Sequence, residues 1–436
     1  MFKRVRVIGA GLAGCECAYQ LAKRGVLVDL YEMKSIKKNP AQNSENYAEL
    51  VCSNSLKSKE ITNACGLLKK ELELLDSLVI KCANLCAVPS GSALSVDREM
   101  FSSMVTEEIK KMDNINIIET EFTAIDLSIP TVIATGPLTS DALCNSLKQL
   151  FGEDFLSFYD ACSPIIYADS IDMNYAFFAD RYNKGDSDYL NIGLSKDEYI
   201  TFSNELANAK RADLKDFEVN VFEGCMPVEI LAKRGIDSLR FGPLKPIGIT
   251  NPKTGEKYYA VMQLRKEDVL GNAFNMVGFQ TNLLISEQKR VFSLLPALKN
   301  AEYARYGAMH KNIFISAPKI LNKYSQVKEH NNIFIAGQLS GVEGYVESIA
   351  SGLACGVNMY NYINQKEMID FTNSTIIGAL LNYISFTNIK DFQPMNANFS
   401  IMPPKYKEIK DKNKKRELYA IDALNKIKQI KEINNV

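Results

Sequence analysis

The sequence predicts an α/β protein in which a Rossmann-like domain is built from two separate parts of the chain and carries an inserted α+β domain. Three observations indicate this fold class. The stretch 4–32 reads as strand, glycine-rich turn, helix and second strand. A further strand and glycine-rich turn follow near residue 333, and the stretch between about 160 and 325 is rich in Tyr and Phe. Strands that alternate with helices favour a parallel sheet.

The first element is a nucleotide-binding motif, "VRVIGAGLAGCECAYQLAKRGVLVDLYE". Gly9 permits a tight turn, Gly11 lets a pyrophosphate approach the backbone, and Gly14 lets the helix pack closely on the strand. Glu32 ends the second strand, close to the spacing expected for an acid that binds a ribose. The helix N-terminus would face the phosphates. The predicted cofactor-binding residues here are Gly9, Ala10, Gly11, Leu12, Ala13, Gly14 and Glu32.

Two later stretches indicate where the chain returns to the cofactor. "PTVIATGPLTS" reads as a buried strand that ends at Thr135 and Gly136, and "NNIFIAGQLSGVEGYVES" as a strand, 333–336, that runs into a glycine-rich turn and a helix. FAD proteins of the two-part kind return to the flavin in this way, so we predict bound FAD; the alternative is an unrelated βα unit. The further predicted cofactor-binding residues are Gly337, Gln338, Gly341, Gly344 and Tyr345.

The domain limits follow from these motifs. We predict a first part of the FAD-binding domain at 1–160, an inserted substrate domain at 161–325, a second part of the FAD-binding domain at 326–404, and a charged helical tail at 405–436. A cluster of basic residues in the tail is either a solvated face or a contact with RNA. It comprises Lys412, Lys414, Lys415 and Arg416.

Composition limits the possible chemistry. Ten cysteines without a secretion signal indicate reduced thiols, and with only two histidines and no CxxC pair we expect no metal site. No apolar run is long enough to span a membrane, so we expect a cytoplasmic protein without a membrane partner. Proton transfer would fall to Cys, Glu, Asp, Lys or Tyr. Cys52 and Cys225 lie in distinctive polar and turn-forming contexts, although each alone could be a buried apolar side chain.

Eight motifs in order resemble one family over residues 4 to about 404. They are "VIGAGLAG", "AELVCSNSLKS", "VDRE", "FEGCMPVE", "LRFGPLKPIG", "VGFQT", "GQLSGVEGYVES" and "FQPMNANF". They closely resemble the folate- and FAD-dependent tRNA uridine C5-methyltransferases. The two cysteine motifs are specific to that family, whereas the N-terminal glycines are shared with the related carboxymethylaminomethyl-tRNA modification flavoproteins.

The resemblance implies an enzyme that takes a one-carbon unit from methylenetetrahydrofolate and reduces it with FAD, which NAD(P)H recharges. Uracil C5 becomes nucleophilic only after a group adds to C6, and a thiolate suits that step. In the family's pattern Cys225 matches the C6 nucleophile, and Cys52 matches a partner near the flavin that acts as a base or shields the flavin adduct. The sequence leaves open which cysteine has which role, and whether the protein is a monomer or a homodimer.

The chain departs from the family's pattern at several positions. Gln42 and Asn282 stand where the family commonly has histidine, and an amide stacks on a pterin less well than an imidazole. Ser90 and Ser92 interrupt a usual Ala-Gly-Gly run. The RNA target is either the T-loop uridine of tRNA or a 23S rRNA uridine. The alternatives are a paralogue that binds FAD and RNA without methyl transfer, and a disulfide reductase, which would need a second thiol beside Cys52.

Overall fold

The structure is a computed structural model, and it describes residues 4–39, 41–152, 155–183, 187–212 and 226–434. The strands are β1 (Arg4–Ile8), β2 (Leu27–Glu32), β3 (Ser55–Ser58), β4 (Ala87–Val88), β5 (Ala93–Val96), β6 (Ile115–Glu119), β7 (Thr131–Ile133), β8 (Leu156–Ala161), β9 (Ile165–Tyr167), β10 (Ala176–Phe178), β11 (Tyr189–Leu194), β12 (Ala260–Lys266), β13 (Ala273–Met276), β14 (Tyr303–Arg305), β15 (Met309–Phe314) and β16 (Ile333–Ile335). The α-helices are α1 (Leu12–Ala22), α2 (Ala64–Leu74), α3 (Leu78–Leu85), α4 (Arg98–Lys110), α5 (Asp141–Phe151), α6 (Lys196–Asn208), α7 (Val228–Lys233), α8 (Ser238–Phe241), α9 (Ile285–Phe292), α10 (Ala317–Ile320), α11 (Tyr345–Ile363), α12 (Ile376–Phe386) and α13 (Lys412–Asn434).

A parallel sheet carries the N-terminal motif and the late strand together. Its order is β16-β7-β1-β2-β6, and every described pair in it is parallel. The sequences TVI of β7 and IFI of β16 are buried throughout, as expected for strands covered on both faces. Strands from both ends of the chain therefore share one sheet, which confirms the predicted Rossmann-like, two-part fold class.

The middle of the chain forms a second, antiparallel sheet. Its order is β10-β11-β12-β13-β9-β14, with the seven-residue strand β12 paired to β11 and β13. Smaller sheets join β15 to β8 and β3 to β5 and β4. A separate cluster of buried side chains from β11, β12, α6 and α9 packs against the antiparallel sheet. The exact domain limits at 160, 325 and 404 stay predictions.

Close packing of α1 on α11 joins the two parts of the parallel-sheet domain. A Cβ on Gly352 would lie 2.2 Å from Ala13 O, and one on Gly356 would lie 2.9 Å from Cys17 O. Larger side chains would therefore force the helices apart. This contact holds the N-terminal glycine turn next to the turn that begins α11.

The C-terminal tail is helical over α13. Tyr419, Ala420, Ala423, Ile427 and Ile430 are buried along one side of this helix. Lys431 donates to Leu74 O at 2.8 Å and so ties the tail to the end of α2. In the parts of the chain that the structure describes, no helix is both long enough and apolar enough to cross a membrane.

Candidate functional site

The N-terminal glycines adopt the conformations that a phosphate-binding turn requires. Gly9 has a φ of +95°, and a Cβ there would lie 2.8 Å from Ala134 O. A Cβ on Gly14 would lie 1.8 Å from Gly9 O, so only glycine lets α1 start this close to β1. A Cβ on Gly11 would meet nothing within 4 Å, so its backbone faces open space. The turn thus combines a tight fold with one open side, which fits a pyrophosphate.

Glu32 fixes this turn through its buried carboxylate. Its Oε2 accepts from the Ala10 N–H at 2.8 Å, and its Oε1 accepts from the Lys34 N–H at 2.9 Å. The side chain is 9% exposed. The acid predicted to bind a ribose therefore also holds the backbone of the glycine turn.

A small cavity of about 90 Å³ lies in front of the turn. Thr135 lines it and shares a 2.6 Å hydrogen bond with the hydroxyl of Thr139. Gly136 follows with a φ of +69° and open space at its Cβ position. The other lining residues include Gly9, Gly11, Tyr31, Glu32, Asn39, Gln42, Phe122 and Leu138. Gln42, one of the departures, thus lies near Glu32.

The remaining residues of the first motif belong to the start of α1. Leu12 and Ala13 are its first two residues and both are buried. A Cβ on Gly337 would lie 2.9 Å from the Ala13 Cβ, so Ala13 is packed between the two glycine-rich turns. Leu12 and Ala13 serve packing, while the open backbone is at Gly11.

The late turn between β16 and α11 also depends on left-handed glycines. Gly337, Gly341 and Gly344 have φ values of +73°, +90° and +119°. The Gly337 N–H donates to Ser351 Oγ at 3.1 Å, which anchors the turn to α11. Gln338 donates its amide to Glu343 within the turn. Both side chains line a second, larger cavity.

The large cavity of about 590 Å³ brings distant parts of the chain together. Cys52 lines it, as do the late turn and the antiparallel sheet. Leu138 lines both this cavity and the small one, so the two cavities are neighbours. The other lining residues include Ser53, Lys57, Asp160, Cys162, Arg265, Asn275, Gln280, Gln338, Glu343, Gly344, Tyr345, Glu347 and Asn396.

Cys52 is a half-buried thiol with a second thiol in the same cavity. Its Sγ lies 3.8 Å from Ala161 O, and Cys162 follows in the chain. Burial raises the pKa of Cys52 well above its usual value; Asp160 and Cys162 raise it further, and the guanidinium groups of two arginines lower it. Sequence reasoning missed Cys162 because it lies 110 positions later and outside any CxxxxC pattern.

Tyr345 lines the cavity, and its hydroxyl also holds the Cys52 segment. The Tyr345 Oη accepts from the Cys52 N–H at 2.7 Å and from the Ser53 N–H at 3.1 Å. Burial raises the pKa of Tyr345 above its usual value, so the phenol stays neutral. This contact joins residues 293 positions apart and left no signal in the sequence.

Carboxyl groups on the cavity wall were also missed. Burial and, second, the charge of Asp160 together raise the pKa of Glu343 to about 8. Glu347 is 1% exposed. Its Oε1 accepts from the Ala397 N–H at 2.9 Å and lies 3.6 Å from Lys57 Nζ, whereas its Oε2 has no hydrogen-bond partner among the described residues. Buried unpaired oxygens are costly, so Glu347 points to a ligand with a hydrogen-bond donor.

Cys225 lies outside the described residues, which end at Ala212 and resume at Met226. After it, the Val228 N–H donates to Gln280 O at 2.7 Å, and Gln280 lines the large cavity. Before it, the Asn282 side chain donates to Ala212 O at 3.0 Å. Asn282 is thus buried against the backbone and does not line the cavity.

The fold and site together define a class. This is a Rossmann-like α/β protein with a dinucleotide-type glycine turn, an inserted antiparallel sheet, and a thiol-lined cavity beside the turn. Residues 4–367 match the family model described as glucose inhibited division protein A (GIDA). The solved structure of GidA from Aquifex aeolicus shares this fold, with a TM-score of 0.71 at 14% identity over 99% of this chain and 74% of that one.

Curated relatives give a closer match. The chain is 51% identical over 433 residues to the methylenetetrahydrofolate--tRNA-(uracil-5-)-methyltransferase TrmFO of Listeria monocytogenes, covering 99% of this chain and 100% of that protein. It is 52% identical to the protein of the same name from Acetivibrio thermocellus, covering 98% and 99%. The chain belongs to the TrmFO family of enzymes, which confirms the resemblance seen in the motifs.

Proposed function

We propose that this protein is an RNA uridine C5-methyltransferase that uses methylenetetrahydrofolate as carbon donor and FAD as reductant. One observation carries the proposal: the two cavities adjoin at Leu138. A dinucleotide whose ribose lies at Glu32 and whose pyrophosphate lies at Gly11 would extend toward Cys52. The names of the TrmFO relatives support the same substrate and donor.

The residues present fit an FAD molecule. Gly11 offers an open backbone for the pyrophosphate, and Glu32 offers a carboxylate in the small cavity. The α11 helix begins at the large cavity after Gly344, so its N–H groups favour an electron-rich group there. FAD would supply the two electrons that convert a transferred methylene into a methyl group.

The overall reaction balances with these partners. Uridine, methylenetetrahydrofolate and reduced FAD give 5-methyluridine, tetrahydrofolate and oxidised FAD, so one C–H bond at C5 is replaced by a C–CH₃ bond. We assign Cys225 to attack on uracil C6, which makes C5 nucleophilic. Cys52 then assists loss of the C5 proton or shields the flavin, and elimination of Cys225 frees the product. NAD(P)H would restore the reduced flavin.

The protonation states of the groups that line the large cavity constrain the role of Cys52. Its raised pKa keeps the thiol protonated at neutral pH before substrates bind. Glu343, with a pKa of about 8, is also mostly protonated there. The cavity therefore holds two proton donors, and Cys52 becomes a base only after its proton leaves.

The RNA target is a uridine of tRNA, by analogy with the relatives' names, or a uridine of 23S rRNA. The basic residues of α13 are a candidate RNA contact. They lie on the exposed or half-exposed side of that helix. We expect the enzyme to act in the cytoplasm, where both RNAs are found.

In vitro methylation tests the proposal. Purified protein with FAD, NAD(P)H and labelled methylenetetrahydrofolate should methylate one of two transcripts, tRNA or 23S rRNA. Cys52→Ala should abolish the reaction. Cys144→Ala is a matched control, since Cys144 is also half-buried but lies outside the large cavity.

A non-catalytic paralogue is the competing interpretation. Its support is the two departures from the family's histidines, Gln42 and Asn282. An amide offers no ring for a pterin, and the Asn282 side chain donates instead to Ala212 O. Binding of FAD and of both RNAs without transfer of label to either would favour that interpretation and reject methyl transfer.

A further inference from the structure

Two arginines hold the backbone carbonyls of the Cys52 segment. Arg98, the first residue of α4, donates to Leu50 O and, through Nη2 at 3.3 Å, to Cys52 O. Arg305, at the end of β14, donates to Val51 O at 3.0 Å and to Cys52 O at 2.8 Å. The Cys52 carbonyl thus accepts from two guanidinium groups that come from different parts of the fold.

The amide side of the same segment is held by Tyr345, whose hydroxyl accepts from two successive N–H groups. Arg98 is itself fixed, because Glu267 accepts from its Nε and, at 3.3 Å, from its Nη2. We call Arg98, Arg305 and Tyr345 the backbone clamp. Its members come from α4, β14 and α11, and therefore from the antiparallel sheet and from both parts of the Rossmann-like domain.

We infer that the backbone clamp positions the Cys52 thiol in the large cavity and, through its two cations, controls how readily that thiol reacts. The inference rests on the proposed function, since it takes Cys52 as a reacting group. Hydrogen bonds to these backbone carbonyls do not require charged donors, because neutral donors would satisfy the carbonyls equally well. Two guanidinium groups on one carbonyl place positive charge beside the sulfur as well.

The charges around Cys52 act in opposite directions. Burial, followed by Asp160 and Cys162, raises the pKa of the thiol, whereas Arg305 and then Arg98 lower it. Tyr345 is neutral and acts on position only. Removing one cation should therefore leave a thiol that is still buried beside Asp160 but ionises less. Removing the Tyr345 hydroxyl should move the thiol without changing the local charge.

Alkylation of Cys52 by iodoacetamide tests the inference, because it reports the thiolate without needing RNA or folate. The FAD-loaded protein is treated between pH 7 and 9.5, and peptide mass spectrometry resolves Cys52 from the other cysteines. A pKa shift of about one unit is the low end for loss of a nearby opposite charge, so Arg305→Gln should slow alkylation roughly tenfold at each pH.

Three further variants separate charge from position. Arg305→Lys keeps the charge. The logarithm of its alkylation rate should therefore lie at least halfway from the value for Arg305→Gln back to the value for the wild type. Tyr345→Phe leaves both cations in place, so adding Arg305→Gln to that variant should slow alkylation by a further factor of about ten, as it does in the wild type. Arg240→Gln is the matched control: Arg240 also donates to a backbone carbonyl, Tyr259 O at 2.9 Å, outside the cavity, and its loss should leave Cys52 unchanged.

Equal alkylation profiles for Arg305→Gln, Arg305→Lys and the wild type would overturn the inference. If Arg305→Gln does not fold, as judged by its thermal unfolding, Arg98→Gln and Tyr345→Phe carry the test, and wild-type profiles in both would reject the clamp. If the variants show the expected charge dependence of alkylation but the wild type methylates no RNA, only the proposed function is rejected.

Discussion

Replacing Glu32 by Gln tests the glycine turn at its most constrained point. The two carboxylate oxygens accept from the Ala10 and Lys34 N–H groups at 2.8 and 2.9 Å. The amide of Gln keeps one acceptor and puts an NH₂ group in place of the other. Whichever way the amide is oriented, one buried N–H then faces a donor. The substitution therefore disturbs the turn even before its effect on a ribose.

The expected loss of FAD affinity follows from that unpaired N–H. A buried donor without a partner costs about 1–3 kcal/mol. If the turn recovers its shape only when flavin binds, this cost appears in the affinity, and FAD should bind roughly 5-fold to 150-fold more weakly. Loss of a charge-assisted hydrogen bond to the ribose would bring the result toward the upper end.

Titration of the apoprotein with FAD, followed by quenching of flavin fluorescence, measures this affinity. Asp29→Asn is the control on the same strand, because the Asp29 carboxylate accepts from Arg4 and Asn116 away from the turn. Equal FAD affinity in Glu32→Gln, Asp29→Asn and the wild type would show that Glu32 neither shapes the turn nor holds the ribose.

Three other predictions concern the cysteines and two buried carboxyl groups. RNA that carries 5-fluorouridine has no C5 proton to lose, so a denaturing gel should show a trapped covalent adduct with the wild type and Cys52→Ala but not with Cys225→Ser; the reverse pattern would exchange the two roles. Glu71→Ala should lower the free energy of unfolding by about 1–3 kcal/mol in a urea titration, because the Glu71 carboxylate accepts from two N–H groups at the start of α12; an unchanged midpoint would reject this cap. The pKa of Glu343 is raised to about 8, so folding favours its protonated form, and its contribution to stability is lost as pH rises from its ordinary value of 4.5 through about 8. Glu343→Gln should accordingly flatten the fall of the free energy of unfolding between pH 5 and 8, and an unchanged slope would show that Glu343 ionises normally.

Local backbone chemistry made the glycine turn predictable. The positive φ of Gly9 and the contact between Gly14 and Gly9 arise within a few residues, so spacing alone identifies them. The return of the chain at β16 was equally visible, because a short apolar strand followed by several glycines is typical of a strand that turns tightly into a helix. The fold class could therefore be read from two short stretches.

The surroundings of Cys52 could not be predicted in the same way. Cys162, Tyr345 and Arg305 reach it from distant elements, and each looks like an ordinary residue in its own stretch. Hydrogen bonds between a side chain and a distant backbone leave no periodic or compositional pattern. For the same reason, Asn282 suggested a weakened stacking position, whereas the structure gives its amide a backbone partner.

The contact between α1 and α11 has a consequence for synthesis of the protein. Its two helices are separated by more than 300 residues, which a ribosome adds over roughly 15–60 s. During that interval β1, β2 and β7 can associate, but β16 and the helix that packs against Ala13 do not yet exist. A nascent chain can therefore build the antiparallel sheet before the flavin site is complete. Tight flavin binding would then mark chains translated past about residue 363, and premature termination would yield a protein that cannot retain its cofactor.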